Sequence, residues 1–149
     1  MDHLGEVMEI ERLSFPTPWS KQFFVNELKY GIASLFVAVV PEKGGHERVV
    51  GYIVCGQVLD EVHIQNLAVH PRFRRKGVAT RLLTYIFNHF GERGVSSFYL
   101  EVRSKNPPAL NLYKKMGFIP IGVRKGYYSD TKDDAIVMKL ELRDEEKRV

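Results

Sequence analysis

Apolar residues along this chain follow two rhythms, one of period two and one of helical period, and the switch between them recurs. Leu4, Val7, Met8, Ile10 and Leu13 lie at helical spacing and predict a short amphipathic helix over residues 4–13. The stretch S-F-P-T-P-W-S (14–20) carries two prolines that force an extended or turning path. Ser20 is placed to cap a second helix over about 20–30, which carries Phe23, Phe24, Leu28 and Tyr30 and ends at Gly31. Residues 35–40 (L-F-V-A-V-V) and 48–56 (R-V-V-G-Y-I-V-C-G) read as strands joined by the exposed loop P-E-K-G-G-H-E.

The middle of the chain organises the rest. After a turn at 59–61, Val62, Ile64, Leu67, Ala68 and Val69 make a mostly apolar strand over 62–69, and Pro71 stops it. Val78, Ala79, Leu82, Leu83, Ile86, Phe87 and Phe90 then share one face of a helix over 76–90 that ends near Gly91. Strand 95–103 alternates, with Phe98, Leu100 and Val102 on one face and Tyr99, Glu101 and Arg103 on the other. A strand, a helix and a second strand form a right-handed crossover, so strands 62–69 and 95–103 are expected to be parallel neighbours. Asn106 caps a helix that starts at Pro107, places Ala109, Leu112, Tyr113 and Met116 on one face and ends at Gly117. Residues 118–123 and 135–142 form a last hairpin around the polar, tyrosine-bearing loop 125–134, and the charged tail D-E-E-K-R-V is expected to fray. The pattern predicts a single α/β domain over residues 1–149, with a mixed, strongly twisted sheet of about six to seven strands flanked by about four helices.

Charge sharpens one point in this pattern. Arg74, Arg75, Lys76 and Gly77 sit where helix 76–90 begins, so its first turn is expected to be densely cationic. The helix macrodipole disfavours cations there, whereas the free N–H groups of a helix start attract anions. Gly77 and Ala79 allow a ligand close to the backbone, and the turn is either a cradle for a di- or polyphosphate or a solvated basic turn. Neither a G-x-x-x-x-G-K-[ST] P-loop nor a G-x-G-x-x-G fingerprint is present. The overall net charge of +4 on 149 residues suits an acidic ligand without calling for nucleic acid. The one cysteine, Cys55, excludes an internal disulfide, fits a reducing compartment, and lies in an apolar run where a buried structural thiol is expected. No leader or membrane-spanning stretch is evident, which points to the cytoplasm.

Acid–base chemistry has three candidates. Ligands in such sheets bind beyond the carboxyl ends of the strands, and both the basic turn and Glu101 lie toward that end. A carboxylate within a sheet strand is expensive unless solvated or paired, so Glu101 is either a general base or the partner of Arg103 or Lys139. His63 is a second candidate base, or a structural strand histidine. Tyr113 is either a proton donor or a core tyrosine, and Phe15 and Trp19 are either packing residues or one wall of a groove. No serine or cysteine arrangement supports an acyl-enzyme, and His and Cys are too scattered for a metal site.

The stretch N-L-A-V-H-P-R-F-R-R-K-G-V-A-T-R-L-L resembles the coenzyme A motif [QR]-x-x-G-x-[GA] of the GNAT acetyltransferase superfamily, with Arg74, Gly77 and Ala79 in its fixed positions. F-P-T-P-W-S, L-E-V-R-S-K-N-P-P-A-L-N-L-Y-K-K-M-G-F and G-Y-Y-S-D-T-K-D-D-A-I-V-M are similar to the branch of protein N-terminal acetyltransferases of the ribosomal-protein N-alanine (RimI) type and their archaeal relatives. That resemblance implies acetyl-CoA as cosubstrate without a metal, and direct attack by a protein's N-terminal α-amine, with a ribosomal protein as a possible acceptor. It implies that the backbone of Leu67, Ala68 and Val69 holds the thioester end. The turn Arg75, Lys76, Gly77, Val78, Ala79 and Thr80 would bind the pyrophosphate, and Asn106 the pantetheine arm. Glu101 would be the base and Tyr113 the acid, with Tyr113 also against the coenzyme, while Tyr127 and Tyr128 would line the peptide groove; His63, by its place in the central strand, is expected near the same cleft as a substrate-binding residue. Two departures stand out: the family's usual first strand has almost no chain before Leu4 to form it, and Ala79 replaces a frequent glycine. Two rivals are a GNAT enzyme acting on a small amine or a lysine side chain, and a non-catalytic coenzyme A-binding module. The sequence identifies no surface for self-association.

Overall fold

The first two predicted helices are α1 (Leu4–Ser14) and α2 (Lys21–Tyr30) of a computed structural model that describes residues 3–142. Ser20 caps α2 as expected, its Oγ accepting the Phe23 N–H at 3.1 Å. The strands are β1 (Ala33–Pro41), β2 (Glu47–Val58), β3 (Glu61–Val69), β4 (Ser97–Arg103), β5 (Ile119–Arg124) and β6 (Ala135–Glu141). They form one mixed sheet in the order β1-β2-β3-β4-β6-β5, with helices α3 (Val78–Gly91) and α4 (Pro107–Lys115) between strands. Among the described residues that makes six strands and four α-helices, and no strand precedes α1. The charged tail lies outside the described residues. No helix among them is long and apolar enough to cross a membrane.

The contacts divide into two compact units, one made of the chain up to Gly56 with Asn66–Tyr85, the other of Gln57–Gln65 with the chain from Ile86 onward. In the first, β1 and β2 pair antiparallel, Ala33 opposite Gly56 through Pro41 opposite Glu47, with an irregularity at Ala38/Val39. Leu4, Val7, Met8 and Ile10 of α1 join Phe24, Val49, Tyr52, Val54 and Ala68 in one core. Cys55 is fully buried, and burial pushes its thiol up to about 12, so it is a packing residue.

One charge is buried in this core. Glu11 is only 1 % exposed; its Oε2 accepts the Trp19 N–H at 2.8 Å, and its Oε1 accepts the Tyr52 hydroxyl and the Asn66 amide, the latter at 2.7 Å. These bonds offset the cost of removing a carboxylate from water and tie α1 to the chain ahead of α2, to β2 and to β3. Gly51 is needed for clearance, because a Cβ there would come within 2.9 Å of Val78 Cγ1 and 3.2 Å of the Ala68 carbonyl oxygen.

In the second unit, β3 and β4 are parallel as predicted, in the pairs Glu61–Ser97, Val62–Phe98 and His63–Tyr99. β4 pairs with β6 along its whole length, from Ser97 opposite Glu141 to Arg103 opposite Ala135, and β5 runs antiparallel to β6. The apolar face of β4 is buried as the alternation predicts, and Phe87 packs on Phe98 with ring centroids 4.9 Å apart. Gly117, at φ +104°, reverses the chain after α4, and the Phe118 N–H returns to the Tyr113 carbonyl at 2.9 Å.

The basic segment is where the structure corrects the sequence. Arg75 at φ +62° and Gly77 at φ +80° are left-handed, and α3 begins at Val78 rather than at 76. Arg74, Arg75 and Lys76 therefore precede the helix instead of filling its first turn, so they flank its free N–H groups.

Candidate active site

Because side chains alternate along a strand, β4 presents Tyr99, Glu101 and Arg103 together on the face opposite its buried Phe98, Leu100 and Val102. His63, opposite Tyr99 in the parallel register, lies flat on the tyrosine ring, with centroids 4.6 Å apart and planes 7° from parallel. From there its Nε2 reaches Glu101 Oε1 at 2.6 Å, with the carboxylate side chain only 9 % exposed and the imidazole 30 %. Burial by itself would raise the Glu101 carboxyl, but the hydrogen bond and charge of His63, helped by Arg124 and a backbone N–H, hold it below its ordinary value. Glu101 is thus an ionised, largely buried acceptor with a histidine donor. The salt bridges expected from sequence go elsewhere: Arg103 binds Asp130 at 3.0 Å and Lys139 binds Glu61 at 3.5 Å.

Three further tyrosines belong to the same unit as Tyr99. Tyr113 on α4 is buried and packs edge-on against Phe118 at 5.7 Å. Burial, then the neighbouring Tyr128, pushes its phenol above the ordinary value, so it stays protonated and can donate. Tyr128 is half-buried, and burial pushes it up to about 12. Its ring meets Tyr127 at 5.1 Å and nearly perpendicular, while Tyr127 itself remains exposed. Asn106 caps α4, its Oδ1 accepting the Ala109 N–H at 3.3 Å.

The anion-binding candidates lie in the other unit. Arg74 folds back, its Nε donating to the Val69 carbonyl at 3.1 Å and its Nη2 to Ser14 Oγ at 3.4 Å. Arg75, Lys76 and Thr80 are exposed, and a Cβ at Gly77 would meet nothing within 4 Å. The first N–H groups of α3, from Val78 to Thr80, have no partner inside the helix, and the first intrahelical return is Arg81 N–H to the Gly77 carbonyl at 3.0 Å. Left-handed Arg75 and Gly77, two exposed cations and a free helix start form a donor set that fits a diphosphate. Of the thioester-end residues, Ala68 is buried while Leu67 and Val69 are partly exposed.

Sequence reasoning missed two features. It weighed His63 and Glu101 as rival bases, although parallel neighbours set two residues out of register bring them into contact. It also gave Glu11 and His70 no role. His70 is 7 % exposed, its Nδ1 accepts the Arg72 N–H at 3.1 Å, and it thereby caps the short turn Pro71–Phe73 that leads into the basic segment. Pro71 beside it was the available signal.

Comparison with known proteins bears on this arrangement. Residues 4–118 match the model of the family described as "Acetyltransferase (GNAT) family", a match that runs through both units. The chain is 34% identical to the [ribosomal protein bS18]-alanine N-acetyltransferase of Haemophilus ducreyi, covering 93% of each chain. It is 36% identical to the N-alpha-acetyltransferase of Saccharolobus solfataricus, over 89% of this chain and 84% of that one. The crystal structure of the ribosomal-protein-S18-alanine N-acetyltransferase from Escherichia coli superposes with a TM-score of 0.82 at 30% identity, covering 95% of this chain and 88% of the other.

Proposed function

The chain belongs to the acetyltransferase (GNAT) family, and from that membership we propose that it transfers the acetyl group of acetyl-CoA to the N-terminal α-amine of a protein. The observation that carries this reading is the Glu101–His63 pair, an ionised carboxylate in a largely buried position with a histidine 2.6 Å away. Relatives named for the alanine N-terminus of a ribosomal protein support a ribosomal acceptor, and with it action in the cytoplasm. The whole chain is read as one acetyltransferase domain.

Acetyl-CoA supplies an activated acyl group and a thiol leaving group. Arg75, Lys76, Gly77 and the N–H groups of Val78, Ala79 and Thr80 bind its pyrophosphate, with Arg74 bracing the turn from behind. The backbone of Leu67, Ala68 and Val69 holds its thioester end, and Asn106 and Tyr113 lie along its arm.

An α-amine titrates near pH 8, about two units below lysine, so less work exposes its lone pair. Glu101 and His63 act as one proton-accepting unit: the carboxylate orients the imidazole and stabilises positive charge on it, and the pair receives the ammonium proton. Tyr113, kept neutral by burial, donates its O–H proton in a hydrogen bond to the departing thiolate. Tyr127 and Tyr128 line the acceptor groove, and the exposed Tyr127, its ring against Tyr128, suits contact with a peptide end.

A thiol-release assay with acetyl-CoA tests this, using peptides that begin Ala, Ser, Met-Leu and Met-Glu against an N-blocked, lysine-containing control. Turnover confined to free N-termini is expected. Activity on the control alone makes this a lysine enzyme, activity on free polyamines alone a small-amine enzyme, and coenzyme binding without any turnover a binding module.

A further inference from the structure

Arg103 sits two residues beyond Glu101 on the same face of β4, and its side chain is committed to one loop. Its Nη1 donates to Thr131 Oγ1 at 2.7 Å, and its Nη2 to both oxygens of Asp130, at 3.0 and 3.2 Å. A carboxylate oxygen of Asp133 lies 3.6 Å from Nη1, and the guanidinium carbon stands 4.0 Å over the Tyr128 ring. All four partners belong to the connection between β5 and β6, and the three charged side chains are 16–22 % exposed, where solvent screens them less than at an open surface. The loop itself is tightly wound: Lys132 is left-handed at φ +60°, and its N–H returns to the Tyr128 carbonyl at 2.6 Å. A non-glycine residue held in that conformation implies that the surroundings determine it.

We propose that Arg103 is a positioning residue for the acceptor, fixing the 125–134 loop, and Tyr128 within it, relative to the strand that carries Glu101. This rests on the reading that Tyr127 and Tyr128 line the acceptor groove. Arg103 touches no reacting atom. It acts through Tyr128, and its planar fork is what allows simultaneous pairing with Asp130, bonding to Thr131 and stacking on a ring, which a lysine cannot reproduce.

The test combines kinetics on an N-terminal peptide with hydrogen exchange of the loop amides, in the wild type, Arg103→Gln and Arg103→Lys. For both variants the peptide KM is expected to rise about tenfold, with kcat within about twofold and acetyl-CoA KM unchanged. Exchange across 125–134 is expected to speed up. Asp130→Asn and Thr131→Ala, which leave Arg103 in place, are expected to move the same two quantities in the same direction by less, and they carry the test if an Arg103 variant does not fold. An unchanged peptide KM, an equal rise in acetyl-CoA KM, full restoration by lysine or unaltered loop exchange each overturn the proposal. Wild-type silence on every free N-terminus, with faster loop exchange in Arg103→Gln, overturns the acceptor role together with the proposed function, while the exchange result shows that the clamp itself is real.

Discussion

The imidazole of His63 is held between a ring and a charge: Tyr99 supports its face at 4.6 Å, and Glu101, two residues further along the same strand, takes its Nε2 at 2.6 Å. The stacking fixes the plane of the imidazole, and the hydrogen bond fixes its rotation within that plane. A base oriented in this way does not have to be reoriented during each turnover. If the pair accepts the ammonium proton, both members should matter, and they should matter as a unit.

Glu101→Gln is expected to lower kcat about 100-fold or more, the scale of a lost general base, while acetyl-CoA still binds. His63→Gln should cause a loss of similar size. The double variant should be little worse than either single one, because the two residues share one role. Steady-state kinetics paired with calorimetric coenzyme titration checks this, and fully additive losses would separate the two residues into independent functions.

The same contact sets a pH dependence. Glu101 is held below its ordinary value because His63 and its helpers outweigh burial. A carboxyl depressed on folding contributes stability above its unfolded value, and that contribution is lost as pH falls through the lower folded value. Removing the imidazole leaves burial as the largest influence, and burial acts upward. The stability advantage of the wild type over His63→Gln should therefore be largest above the ordinary carboxylate range and shrink as pH falls through it. A pH series of denaturant midpoints for the two proteins reads this, and a difference that grows on acidification would contradict the assignment.

Glu11 makes a different prediction, about stability. Glu11→Ala would leave the Tyr52 hydroxyl and the Trp19 N–H without their acceptor, and the Asn66 amide with only its bond to the Tyr52 oxygen at 3.3 Å. A loss of about 3 kcal/mol is expected, since an unsatisfied buried donor costs about 1–3 kcal/mol. Glu11→Gln keeps the shape and part of the bonding and should lose less. Urea unfolding of the three proteins measures the difference, and a neutral Glu11→Ala would show that the network is replaceable.

Much of this fold could be read from residue spacing. The caps at Ser20 and Asn106, the stop at Gly117 and the alternation of β4 are local features, and all appear where the sequence puts them. What escaped reading depends on register or on tertiary context. The ion-pair alternative for Glu101 names Arg103 or Lys139, and a three-pair parallel ladder brings His63 to it instead. Glu11 shares the face of Val7 and Met8 by spacing but escapes a pattern that counts only apolar positions, and its donors Tyr52 and Asn66 come from β2 and β3. The start of α3 was misplaced because Arg75, not a glycine, adopts a left-handed conformation that the sequence does not advertise.

That turn separates cations that look equivalent in the sequence. Arg74 is engaged, bonded to the Val69 carbonyl and to Ser14, whereas Arg75 and Lys76 are exposed beside the free start of α3. Arg74→Gln should therefore act mainly on stability, by about 1 kcal/mol, the scale of a typical net hydrogen bond, since the side chain is exposed to solvent. Arg75→Gln should leave stability nearly untouched and raise the KM for acetyl-CoA severalfold, an effect that shrinks as salt is added because the lost interaction is a solvent-exposed charge on a phosphate. The peptide KM should not follow. Coenzyme KM measured at low and high ionic strength, together with thermal unfolding of both variants, distinguishes the two arginines. If Arg74→Gln instead carried the salt-dependent coenzyme defect, the back-folded arginine would have to swing outward to bind the phosphates, and the role assigned to it as a brace would be wrong.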